Sequence, residues 1–76
     1  MSRFKFPVGS IVVPAKEFLH KGNGSKVLYG QVTFLHKNDP HPYDVQWVFS
    51  DGGVETYANN VKQLKTPPDT LIEEYL

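Results

Sequence analysis

The residues with the most obvious chemical capability in this 76-residue chain are three histidines, His20, His36 and His41, with Asp39 and Asp44 close by in sequence. Imidazole nitrogens and carboxylate oxygens together suit zinc or nickel. Such a site needs donors held at one point, as two histidines one helical turn apart would be. These three have no such spacing, so they read as solvated loop residues and no metal is expected. A nucleophile is equally hard to assign. Ser10, Ser25 and Ser50 lack a glycine elbow, and the chain has no cysteine. Gly22-Asn23-Gly24-Ser25-Lys26 has the ingredients of a phosphate loop without the Gly-Lys-Ser/Thr ending at the required spacing. It reads as a flexible loop. The expectation is a non-catalytic chain that needs no cofactor.

Rings are the second source of chemistry. The chain carries five Phe, four Tyr and one Trp. Tyr29, Tyr43, Trp47, Phe49 and Tyr57 could gather near one end of a small barrel. A cage of rings attracts a methylated ammonium, at about 0.5–2 kcal/mol per good contact. Rings beside Lys16, Lys21 and Lys26 would instead stack the bases of a single strand. Against both stands simple packing: Trp47 and Phe49 fall on the core side of an alternating pattern, whereas Tyr29 and Tyr57 are expected to reach solvent.

The elements that must position these groups are strands. Tyr43, Val45, Trp47 and Phe49 alternate, and Asp51-Gly52-Gly53 then supplies a tight turn, which is the strongest short-range hairpin signal. Val8 to Val13 predicts a first strand, ended or placed at an edge by Pro14. Val27 to His36 predicts a second, with Leu28, Gly30, Val32 and Phe34 on one face and Val27, Tyr29, Gln31, Thr33 and Leu35 on the other. Gly30 inside it implies a bend or a close backbone approach. Phe4 and Phe6 share a side of an extended lead-in, and Asn59 to Leu64 gives a turn and a short closing strand. Thr66-Pro67-Pro68-Asp69 and Thr70-Leu71-Ile72-Glu73 are two possible helix starts for a short C-terminal helix. That helix either docks on the barrel or forms an acidic tail.

Composition sets the outer bounds. One domain is expected, comprising a barrel with its lead-in over residues 1–65 and a helical tail over residues 66–76. No disulfide can assist so small a core, so aromatic burial must. No segment approaches the ~20 apolar residues of a membrane span. A soluble, cytoplasmic protein is expected, with no membrane partner. The net charge of +0 conceals an asymmetry, because Arg3, Lys5, Lys16, Lys21, Lys26 and Lys37 precede residue 38 while every acid except Glu17 follows it.

Five short strands, a long first loop, a Pro-rich second loop and an Asp-Gly hairpin make the fold class all-β, a five-stranded SH3-like barrel with a short C-terminal helix. The pattern Gly9…Val12-Val13…Ala15…Tyr29-Gly30-Gln31-Val32…Tyr43-Asp44-Val45-Gln46-Trp47…Asp51-Gly52…Glu55…Leu64 resembles the Tudor-like and related small-barrel families. Methyl-reading Tudor domains carry Asp, an aromatic, Gly and Asn after the third strand; Phe49-Ser50-Asp51-Gly52-Gly53 departs from that order. Phe4-Lys5-Phe6-Pro7, Gly30-Gln31-Val32 and Val54-Glu55-Thr56-Tyr57 also resemble the plasmid-borne type II dihydrofolate reductases, which are tetramers around a pore. Only Val54 and Tyr57 match that family's Val-Gln-Ile-Tyr, and four Glu55 carboxylates in one pore would repel anionic ligands.

The function expected from the sequence is protein recognition by an adaptor, accessory subunit or inhibitor, monomeric or weakly self-associating. The two loops, residues 15–26 and 37–42, and the hairpin tip are expected to form the contact face. Phe18, Lys21 and His41 would make contacts there, with Tyr29 and Tyr57 as aromatic anchors. The alternative is a nucleic-acid-binding barrel using Arg3, Lys5, Lys16, Lys26 and Lys37, with Lys21 beside them.

Overall fold

A computed structural model describes residues 4–15 and 24–75. The described residues form five strands: β1 (Ile11–Pro14), β2 (Val27–Leu35), β3 (Tyr43–Phe49), β4 (Val54–Asn59) and β5 (Leu64–Lys65). One turn of 3-10 helix (Val61–Gln63) precedes β5, and α1 (Asp69–Tyr75) follows it. The strands make one antiparallel sheet in the order β4-β3-β2-β1-β5. β1 turns the corner, pairing Ile11 and Val12 with β2 and then Val13 and Pro14 with β5. β4 and β5 do not pair with each other, so the sheet is open. The all-β, five-stranded expectation holds, and the arrangement is compatible with an SH3-like fold.

Two local expectations need correction. The first strand begins at Ile11 rather than Val8, because Gly9 adopts φ 94° and Ser10 N–H closes a turn on Pro7 O at 3.0 Å. The faces of β2 also differ from strict alternation. Its register with β3 shifts between Val27 and Tyr29 and again between Val32 and Phe34. Each bulge inserts one residue and reverses the side on which the following residues point. Val27 and Leu35 therefore join the core side, whereas Phe34 turns outward and is 56% exposed.

The core consists of Phe6, Val12, Val32, Tyr43, Val45, Trp47, Phe49 and Leu64. Trp47 and Phe49 are buried as the alternating pattern implies. Gly30 sits opposite Trp47, and a Cβ there would fall 2.6 Å from both Trp47 Cε3 and Val45 Cγ1. Only a residue without a side chain lets the indole lie flat against β2. The indole N–H donates to Asn59 Oδ1 at 3.1 Å, and Asn59 is itself buried. Asn59 Nδ2 in turn donates to Gln63 Oε1 at 3.2 Å, and Gln63 and Asn60 close a capping box around the 3-10 turn. A buried polar chain whose members are each paired stabilises one arrangement of the sheet end.

The lead-in packs as expected. Phe4 and Phe6 both meet the Tyr43 ring edge-on, at centroid distances of 5.8 and 6.0 Å, and Tyr43 Oη accepts the Lys5 N–H at 3.0 Å. α1 starts at Asp69, after the buried Pro67. No helix among the described residues is long and apolar enough to cross a membrane.

Candidate functional site

Directly opposed residues of an antiparallel ladder share a face. β3 buries Tyr43, Val45, Trp47 and Phe49 on one side, so Asp44, Gln46 and Val48 point to the other. Three rows cross the sheet on that outer side. Val54, Val48 and Tyr29 form the first. Thr56, Gln46, Gln31 and Ile11 form the second. Ala58, Asp44 and Phe34 form the third. Asp44 is the one charged residue in the three rows, and its Oδ2 lies 2.9 Å from His36 Nε2. The His36 ring also stacks at a tilt on Phe34, 4.7 Å between centroids. Val54 is 48% exposed. The outer face thus carries one charged side chain, is partly apolar and holds two rings.

The residues singled out in the sequence are spread around the sheet. Tyr29 is half-buried on the outer face, in the row of Val48. Tyr57 opposes Val45 and so lies on the core side of the edge strand β4, 40% exposed, with its hydroxyl donating to Glu55 Oε1 at 2.8 Å. That hydrogen bond to a carboxylate pushes the phenol above its ordinary value of 10.0. His41 is exposed in the β2–β3 loop, where its N–H donates to Asp39 Oδ1 at 2.8 Å. Phe18 and Lys21 lie outside the described residues. The 37–42 loop and the hairpin tip stand at opposite ends of β3, because successive hairpins of a meander alternate ends. They do not form one contact face, and Tyr29 and Tyr57 point to opposite sides of the sheet.

Of the basic residues singled out, the three described ones, Lys5, Lys26 and Lys37, are also dispersed. Lys26 precedes β2 and Lys37 follows it, on the order of 30 Å apart along an extended strand. Lys5 stands 5.5 Å from the Phe6 ring centroid, on the lead-in. Arg3 and Lys16 lie outside the described residues. Among the described residues no cluster of His, Asp and Glu could hold a metal ion.

An open cleft of about 360 Å³ lies between the lead-in and the Pro-rich loop, lined by Phe4, Lys5, Asp39, Pro40, Pro42, Tyr43, Asn60 and Val61. Most of its polar groups are already engaged, Tyr43 Oη with Lys5 N–H, Asp39 with His41 and Asn60 with Gln63, while the Lys5 ammonium stands by the Phe6 ring. It offers apolar walls and little convergent chemistry.

The sequence reading missed Phe34, Val48 and Gln46 as surface candidates. Val48 was visible as an apolar residue at a solvent position of β3, but Phe34 was hidden by the bulges, which single-strand alternation cannot register. No protein-family model, no curated protein and no solved structure matches this chain.

Proposed function

We propose that this chain is a non-catalytic protein-recognition module of SH3-like architecture, acting as an adaptor, accessory subunit or inhibitor through the outer face of its sheet. The observation that carries this reading is the charge depletion of that face. Charged residues make up 21% of the chain, yet three rows across four strands hold one, already paired with a histidine. Charge depletion with aromatic enrichment is the compositional signature of an interface centre, where desolvating an unpaired charge would be costly. Tyr29 and Phe34 are the expected anchors, since rings bury large areas at low entropic cost. Among the described residues Lys5, Lys26 and Lys37 lie apart, which supports this reading over a nucleic-acid groove with a continuous basic track.

The test is capture of binding partners from the source organism at low and high salt, using the wild-type chain, Gln46→Lys and Phe34→Lys. One stoichiometric protein retained at high salt by the wild type and lost from both variants supports the reading. Retention unchanged in both variants, or nucleic acid released steeply by salt, would refute it.

A further inference from the structure

β4 is an exposed edge of an open sheet, and Glu55, which opposes Trp47 on the core side, is its one charged guard. Strand edges are normally protected by Lys, Pro or a bulge, because their unpaired amides template further pairing. Val54-Glu55-Thr56-Tyr57-Ala58 contains none of these residues, pairs with β3 without a register shift, and is exposed at Val54, Thr56, Tyr57 and Ala58. The phase of the ladder is set at the hairpin, where Phe49 N–H donates to Gly53 O at 2.8 Å. Hydrogen-bonded pairs alternate, so Glu55 and Tyr57 turn their backbone groups toward β3. The amides and carbonyls of Val54, Thr56 and Ala58 therefore point away from the sheet.

We propose that two copies of this chain associate through β4, antiparallel about a two-fold axis at Thr56, to make one continuous sheet. A two-fold axis normal to the sheet keeps each face on its own side, so the axis must pass through a residue. Centred on Glu55, it would set two carboxylates directly opposite each other, which is destabilising. Centred on Tyr57, it would place Glu55 against Asn59, whose side chain is committed to Trp47 and Gln63. Centred on Thr56, every pairing is favourable. Thr56 opposes Thr56 of the second copy, and Val54 opposes Ala58 of the second copy on the outer face. Glu55 then opposes Tyr57 of the second copy. That sets a carboxylate opposite a phenol hydroxyl across the strands rather than like against like. The outward amides of Val54, Thr56 and Ala58 meet their counterparts in register. This proposal concerns the backbone edge of β4, whereas the partner reading rests on the outer side-chain face of the sheet, to which β4 contributes Val54, Thr56 and Ala58.

Sedimentation equilibrium over a wide concentration range tests it. The wild type is expected to show a concentration-dependent monomer–dimer equilibrium. Thr56→Pro removes an outward N–H and leaves the β3 ladder intact, since proline is tolerated on an edge with that geometry. It should raise the dissociation constant about tenfold or more, with the near-ultraviolet dichroism of Trp47 unchanged. Should Thr56→Pro fail to fold, Ala58→Lys gives the same reading, because it sets a charge against Val54 of the second copy. The chain has no cysteine, so Thr56→Cys should cross-link to itself with a short thiol reagent, while Gln46→Cys in central β3 should not. A wild type that stays monomeric at the concentrations used for NMR would overturn the proposal. So would a dimer unaffected by both edge variants, or cross-linking through Gln46→Cys instead.

Discussion

The two faces of β3 differ in how completely the chain accounts for them. On the inner face each residue has an intramolecular task. Trp47 lies against Gly30 and donates to Asn59, Tyr43 receives both lead-in rings and Lys5 N–H, and Val45 is fully buried. On the outer face Val48 is apolar yet only half-buried, and the uncharged Gln46 beside it is exposed. The inner face specifies the fold, and the outer face is the one through which we propose a partner binds.

Breaking the inner face should have the largest effect. A domain of this length is stable by about 4–11 kcal/mol in all. Trp47→Ala would remove about 3–5 kcal/mol, a large share of that margin, and leave Asn59 Oδ1 without its donor, so the thermal unfolding midpoint should fall by on the order of 20 °C. Gly30→Ala comes next. Its Cβ would clash with the indole and with Val45, costing about 1–3 kcal/mol and lowering the melting temperature by about 4–8 °C for each kcal/mol. Asn59→Ala should cost about 1–3 kcal/mol, because the buried indole N–H loses its acceptor. Double-mutant cycles with Trp47→Phe would show that the loss runs through that bond, since Asn59→Ala should cost far less once the indole is gone.

The outer face should respond in the opposite way. Phe34→Lys is expected to change stability within about 0.5 kcal/mol, since the ring is 56% exposed. Its effect belongs to binding. Smallest of all is the Tyr57–Glu55 contact at the edge of the sheet. The hydrogen bond that Glu55 accepts holds the proton on the Tyr57 phenol and raises it above its ordinary value, so Glu55→Gln should bring the ultraviolet titration of Tyr57 back toward 10.0. Because the folded value is raised, any stability from this contact is present below the ordinary phenol range and fades as pH rises through the folded value.

Much of the fold was legible in the sequence. Alternation over Tyr43 to Phe49 and the Asp-Gly turn located the central hairpin, and Gly30 announced its close approach. The faces of β2 were not legible, because bulges arise from pairing with β3 and leave no trace in one strand read alone. The Val8 to Val13 strand was read too long for a related reason: β-branched residues fit a strand, but Gly9 at positive φ turns the chain first. The site was the least legible part. Ring count marked Tyr29 and Tyr57, but only the cross-strand register shows that they face opposite sides. Charge depletion is likewise a property of rows across strands, and it becomes visible only once Gln31, Gln46 and Thr56 are placed side by side.

Cross-saturation NMR of the isotope-labelled chain in complex with its captured protein partner tests the division of the two faces most directly. The amides of Tyr29, Gln31, Gln46 and Val48 are expected to lose intensity together when the partner is irradiated. Saturation confined to the Pro-rich loop around His41, with those rows silent, would contradict the account.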